Sequence, residues 1–163
     1  MSEDNATPAA GLRLGGPAPD FTLRDQFGQD HTLSDYQGRK SVALFFYPYA
    51  FSGVCTGEMA EIRDRLDDFL TFDTEILAIS CDPVYSLRTF ADTDGLNFSL
   101  LSDFWPHGEV ARAYDVFDES SGAARRSSYI VDKQGRLSWS VHNALPEGRD
   151  LDEHLRHLRS AAE

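Results

Sequence analysis

Ser41 to Tyr47 reads Ser-Val-Ala-Leu-Phe-Phe-Tyr, an unbroken apolar run that Pro48 stops. A strand with one wet face alternates apolar and polar residues. A continuous run is the mark of a strand covered on both faces. Such a strand needs a layer above it and a layer below, which points to a sheet with helices packed on it. A loop, Tyr49 to Gly53, follows. The next segment is helical in pattern, with Met59, Ile62, Leu66 and Phe69 on one face. Cys55 lies four residues before Met59, in the first turn of that predicted helix and on its inner side.

The remaining segments extend the same plan. Phe21 to Leu23 and His31 to Leu33 flank Asp25-Gln26-Phe27-Gly28, which reads as an N-terminal β-hairpin. Glu75 to Ser80 is a second buried strand, and Val84 to Thr93 a helix. Phe98 to Leu101 is a short strand and Glu109 to Tyr114 a short helix. Ser128 to Val131 and Leu137 to Val141 are strands around the turn Asp132 to Gly135. Leu151 to Leu158 closes the chain as a helix with Leu151, Leu155 and Leu158 in register. The order gives an α/β fold with a central mixed β-sheet flanked by helices. Right-handed crossover puts the first long strand and its helix at the sheet centre. Cys55 then stands beyond the carboxyl end of an interior strand, where open α/β sheets carry their sites. Residues 1–11 are small, polar and acidic and read as a flexible tail, leaving 12–163 as one domain.

Formal net charge is -12. A field of that sign repels nucleic acid and anionic membranes, so neither is expected as a partner. It neither attracts nor repels a small neutral substrate. No apolar run has the length of a membrane span, and the start lacks the basic and apolar segments of a secretory signal, so a cytoplasmic protein is expected. The two cysteines, Cys55 and Cys81, are too few for a disulfide scaffold.

The segment Pro48-Tyr-Ala-Phe-Ser52-Gly-Val-Cys55-Thr-Gly-Glu58 carries the chemistry. A thiol at a helix N-terminus meets unpaired backbone N–H groups and the positive end of the helix dipole. Both favour the thiolate, the form that attacks peroxide to give a sulfenic acid. The oxygen expelled needs donors close to its developing charge. Ser52, three residues before Cys55, has a hydroxyl to offer. Pro48 stiffens the loop entry and removes a competing donor.

Pro-x-x-x-Ser/Thr-x-x-Cys after an apolar strand resembles the active-site signature of the peroxiredoxins. The likeness covers almost the whole globular chain. Pro17-Ala18-Pro19-Asp20-Phe21-Thr22-Leu23 is similar to the usual start of these proteins. Leu101 to Gly108, followed by Ala111 and Tyr114-Asp115-Val116, resembles the AhpE-type, one-cysteine subfamily of the AhpC/TSA family. Arg126-Ser-Ser-Tyr-Ile-Val-Asp132 is similar to the strand that carries the family's active-site arginine. The resemblance implies a thioredoxin-like fold and a thiol peroxidase reducing hydrogen peroxide and organic hydroperoxides. It implies Cys55 as the peroxidatic cysteine and Ser52 as the hydroxyl that hydrogen-bonds thiolate and peroxide. Pro48 becomes the residue that shields the sulfur, Arg126 the cation on the thiolate, and Glu58 the group that orients the arginine. Arg125 is the alternative by one residue; strand alternation and the spacing to Asp132 favour Arg126. The resemblance also implies a homodimer or higher homo-oligomer. Phe51, Phe104 and Trp105 would then supply apolar contact near the active-site loop. The reductant it implies is a low-molecular-weight thiol with a glutaredoxin-, mycoredoxin- or thioredoxin-like partner. No cofactor and no metal are expected.

Each of these residues also has an ordinary reading. A lone cysteine at a helix start is commonly a small buried hydrophobe. Ser52 alone is a helix N-cap, and Glu58 alone a first-turn acid. None of the five histidines has metal-like spacing. His154 and His157, three apart on the last helix, read as a solvated face. Cys81 ends the second buried strand and reads as a packed structural thiol. Two rival functions remain. A thioredoxin-like thiol-disulfide oxidoreductase needs a second thiol near the first, and Ser52 and Glu58 occupy those positions. A non-catalytic thioredoxin-fold binding module would be marked by loss of the cysteine, the hydroxyl or the arginine.

Overall fold

The computed structural model describes residues 12–142 and 149–162; the expected tail 1–11 lies outside them. A hairpin comes first, β1 (Thr22–Arg24) and β2 (Asp30–Thr32). Gly28 turns it at φ 78°, a left-handed conformation open to glycine without strain. Asp25 Oδ1 accepts from the N–H groups of Phe27 and Gln29 and holds the turn closed. A single 3-10 turn, Leu33–Tyr36, leads into β3 (Ser41–Phe46), all of whose residues are buried.

Helices α1 (Gly53–Asp64) and α2 (Leu66–Leu70) precede β4 (Thr74–Ser80). Next come α3 (Val84–Asp94), β5 (Ser99–Ser102) and α4 (Glu109–Ala113). A two-stranded ribbon, β6 (Phe117–Asp118) and β7 (Ala123–Ala124), stands apart from the main sheet. Then follow β8 (Ser127–Val131), β9 (Leu137–His142) and α5 (Leu151–Ala162). Among the described residues the main sheet has seven strands in the order β9-β8-β3-β4-β5-β1-β2. β3 runs parallel to β4 and antiparallel to β8, and β4 runs parallel to β5. The sheet is therefore mixed, as the element order predicts.

The pleat of β3 explains its unbroken apolar run. Ala43, Phe45 and Tyr47 face one core with Met59, Ile62, Phe69, Leu87, Phe90, Leu151 and Leu158. Val42, Leu44 and Phe46 face a second core with Val110, Ala111, Tyr114 and Tyr129. The first core is roofed by α1, α2, α3 and α5, the second by α4 and the N-terminal segment. Successive β3 side chains alternate between the two because a strand repeats every two residues.

Two expectations change. The single helix read from Met59 to Phe69 is two helices. Arg65 leaves helical geometry at φ -109° and ψ 17° and pairs with Asp152 at 2.8 Å and Asp68 at 3.3 Å. Neither proline nor glycine marks that break. His154 is not on a solvated face but is 1% exposed. It sits between the rings of Phe45 and Trp139, at centroid distances of 5.4 and 4.8 Å. Leu151 and Leu158 turn the same way, so His154 shares the inner face of α5.

Candidate active site

Ser52 takes the N-cap position of α1, with extended dihedrals of φ -71° and ψ 153°. Cys55 is then the third helical residue and lies within the turn whose backbone N–H groups have no intrahelical acceptor. It is fully buried. The loop before it is tied down from several sides. The Ala50 N–H donates to Asp82 Oδ2 at 2.8 Å, and Tyr49 Oη donates to the Ser121 carbonyl at 3.1 Å. Phe51 adopts φ 70°, uncommon for a bulky side chain, and its ring packs on Phe90 at 5.0 Å. Pro48, half-buried, links β3 to this loop.

β8 brings Arg126 to the same place. Ser127 pairs with Phe46 at the carboxyl end of β3, which places the residue before it over the start of α1. Arg126 Nη2 donates to Cys55 Sγ at 3.1 Å, and Nε donates to Glu58 Oε1 at 2.8 Å. Arg126 is 2% exposed. Arg125 points the other way and donates to the carbonyls of Asp115 and Phe117. The choice between the two arginines is thus decided by the pleat. Arg126 Nη1 is buried and has no hydrogen-bond partner among the described residues. A charge buried at that depth is tolerable because Glu58, itself 7% exposed, neutralises it.

Ser52 departs from expectation. Its hydroxyl donates to the Tyr49 carbonyl at 3.1 Å and caps no backbone N–H of α1. The hydroxyl hydrogen is spent inside the loop instead of on Sγ.

Arg149 is the residue that local sequence reasoning missed. Its backbone N–H donates to Glu58 Oε2 at 2.8 Å. Its Nη1 donates to the Ser127 carbonyl at 2.8 Å and to Ser128 Oγ at 2.7 Å, and its Nη2 to the Phe46 carbonyl. Glu58 therefore holds one arginine on each oxygen. Burial lowers the Arg149 pKa to about 10, against the pull of Glu58, and the group stays charged at neutral pH. In the sequence Arg149 is only a basic residue before Asp150, whose side chain accepts the Glu153 N–H at the start of α5. The cap is a readable signal for the helix; nothing local marks the arginine as buried.

Cys81 stands elsewhere. It is 7% exposed, and both cysteines carry free thiols. Burial pushes its thiol up to about 12, with the nearby charges of Asp103 and Asp82 adding to the effect. At neutral pH it is protonated and a poor nucleophile. No group of potential metal ligands occurs among the described residues, and none of their helices is long and apolar enough to cross a membrane.

The arrangement is a small buried thiol with a cation on its sulfur and an unused donor beside it. The chain as a whole resembles known proteins by sequence and by shape. The family model described as AhpC/TSA matches residues 14–140. The chain is 46% identical over 139 residues to alkyl hydroperoxide reductase E of Mycobacterium tuberculosis, covering 85% of this chain and 91% of that one. It is 36% identical over 157 residues to a chloroplastic 2-Cys peroxiredoxin of Spinacia oleracea, covering 90% and 58%. Among solved structures, peroxidoxin BcpB of Mycobacterium tuberculosis superposes with a TM-score of 0.83 at 29% identity, over 91% of this chain and 97% of that one. AhpC of the same organism superposes at 0.80 with 26% identity, over 94% and 93%. The thioredoxin-like fold is therefore present, and the chain belongs to the AhpC/TSA family as an AhpE-like peroxiredoxin.

Proposed function

We propose that the protein is a thiol-dependent peroxidase that reduces hydrogen peroxide and organic hydroperoxides with Cys55 as the attacking thiolate. One observation carries the reading: Arg126 donates to Cys55 Sγ from Nη2 while its buried Nη1 has no partner among the described residues. An unsatisfied buried donor is costly. A peroxide oxygen beside the sulfur would satisfy it.

The chemistry balances with these groups alone. The Cys55 thiolate attacks one peroxide oxygen, an S–O bond forms and the O–O bond breaks. Sulfur loses two electrons to the peroxide and becomes a sulfenic acid. The expelled hydroxide or alkoxide takes a proton from solvent and leaves as water or alcohol. Arg126 stabilises the charge on that oxygen as it develops. Glu58 fixes the guanidinium so that no reorganisation is needed at that moment. Ser52 and Pro48 shape the loop around the sulfur, and the Ser52 oxygen keeps lone pairs free to accept from the substrate's hydroxyl.

An external thiol then attacks the sulfenic acid, expels water and forms a mixed disulfide, which a second thiol reduces. A low-molecular-weight thiol with a glutaredoxin-, mycoredoxin- or thioredoxin-like protein fits this step. Cys55 has no exposed surface, so a protein reductant reaches it only after the first turn of α1 opens. A cytoplasmic location suits the reduced thiols, and a homodimer suits the exposed Phe51, Phe104 and Trp105. Cys55→Ser tests the whole reading: peroxide consumption with an excess of reduced thiol should vanish, and a variant that still consumed peroxide would sink the mechanism.

A further inference from the structure

The buried polar network extends beyond the groups that touch the sulfur. Ser128 Oγ, which accepts from Arg149 Nη1 at 2.7 Å, lies 2.8 Å from His154 Nε2. His154 Nδ1 lies 2.6 Å from the Asp150 carbonyl, one turn earlier in the chain. A carbonyl only accepts, so Nδ1 carries the ring hydrogen. In the neutral ring Nε2 then has the lone pair, and the Ser128 hydroxyl donates to it. Burial holds the ring neutral, pushing it down to about 4. The hydrogens therefore run in one direction, from Arg149 to Ser128, from Ser128 to His154, and from His154 to Asp150. Because the Ser128 hydrogen is committed to His154, its oxygen is left to Arg149 as an acceptor. The aromatic walls of Phe45 and Trp139 keep water from replacing either partner.

We propose that Ser128 and His154 are positioning residues of the thiolate site. The imidazole fixes the serine hydroxyl, the hydroxyl seats the Arg149 guanidinium, Arg149 holds Glu58 through its backbone N–H at 2.8 Å and the Nε ion pair at 3.5 Å, and Glu58 holds Arg126 against Cys55. The inference rests on the reading of Cys55 as the attacking thiol. It assigns to the closing helix a part in that chemistry that the Cys55 loop alone does not contain.

Three variants separate the ring's acceptor from its bulk. His154→Asn reaches the Nδ1 position and keeps a donor for Asp150, but offers nothing at Nε2. His154→Gln reaches further and places an amide oxygen near Nε2. Ser128→Ala removes the shared hydroxyl. In the reduced full-length protein, two rates are measured at neutral pH: stopped-flow oxidation by hydrogen peroxide, and alkylation of Cys55 by iodoacetamide. Thermal midpoints are recorded beside them. His154→Asn and Ser128→Ala should each slow both reactions about fivefold, the effect of one neutral hydrogen bond. His154→Gln should recover most of that loss. The double variant of Ser128→Ala with His154→Asn should be no slower than the slower single one, since both break the same link. Wild-type rates in His154→Asn and Ser128→Ala would overturn the proposal. So would rates that follow the thermal midpoints whether or not the acceptor is kept. Ser128→Ala, which deletes one oxygen, decides the matter if His154→Asn does not fold. Peroxide consumption by Cys55→Ser would instead defeat the underlying reading, independently of His154.

Discussion

Arg126 donates from Nη2 to Cys55 Sγ at 3.1 Å, closing a contact between side chains 71 residues apart in sequence. A charge-assisted hydrogen bond in a buried site contributes about 1.5–3 kcal/mol. Arg126→Ala should therefore slow oxidation of the reduced protein by hydrogen peroxide roughly 10- to 100-fold. Stopped-flow fluorescence under pseudo-first-order conditions measures it. A rate within a factor of about two of wild type would remove Arg126 from the mechanism.

Glu58 sits between two buried arginines, with Arg126 Nε at 2.8 Å on one oxygen and, on the other, the Arg149 backbone N–H at 2.8 Å and its guanidinium Nε at 3.5 Å. Glu58→Ala leaves two buried cations uncompensated. The expected loss of stability is about 3–5 kcal/mol, far more than a surface acid in the first turn would give. Urea unfolding of the reduced protein provides the number, and a change below about 1 kcal/mol would mean that Glu58 is only a helix-dipole partner.

Stability between pH 4 and pH 6.5 should carry two opposed contributions. Burial pushes the Asp103 carboxyl up to about 6, although it accepts from the Val110 and Ala111 N–H groups. Its folded value is raised, so its contribution is full below the unfolded value of 3.8 and is lost as pH rises through about 6. Burial pushes His154 down to about 4 from 6.5. Its contribution is full above 6.5 and is lost as pH falls through about 4. His154→Gln removes the second contribution and leaves the first. As pH falls from about 6.5 to about 4.5, its urea midpoint should therefore rise relative to that of wild type, because it gains the Asp103 contribution without losing the His154 one. Equal changes in the two proteins would show that His154 does not titrate in this window.

Cys81 is protonated at neutral pH, with its thiol pushed up to about 12. One equivalent of iodoacetamide should label Cys55 alone, as peptide mass spectrometry reads directly. Cys81→Ser should leave turnover with an external thiol nearly unchanged. Oxidised wild-type protein should trap a sulfenic acid at Cys55 that dimedone captures. A stoichiometric Cys55–Cys81 disulfide after one equivalent of peroxide would show instead that Cys81 resolves the intermediate.

Phe51, Phe104 and Trp105 are 52%, 46% and 80% exposed. Large aromatic surface left in water fits a contact between copies of the chain. Light scattering at micromolar concentration should give a dimer, and Phe51→Asp a monomer. Aspartate tolerates the left-handed backbone at that position better than most residues, so the substitution tests the contact and not the turn. A monomeric wild-type protein would remove the dimer.

The sequence by itself determined the layered α/β fold, the interior place of Ser41–Phe46 and the position of Cys55 in the first turn of a helix. These are local matters. Apolar runs, period and turn residues report how each segment must be covered, and the signature from Pro48 to Cys55 lies within one loop and one helical turn. Arg126 was legible only through the resemblance of its strand to that of a known family, with its spacing to Asp132 and strand alternation choosing it over Arg125. The tertiary structure alone decided what surrounds the sulfur at longer range. His154 reads as a wet histidine, and Arg149 carries no local signal at all, because a helix pattern cannot say which neighbours arrive from β3 and β8. The break at Arg65 and the turning of the Ser52 hydroxyl toward Tyr49 also depend on partners or geometry that propensity does not encode. Buried polar groups are bearable only when each finds its partner, and the partners of Glu58 come from chain segments 68 and 91 residues away. That pairing exists only once the sheet has closed and α5 has docked on it.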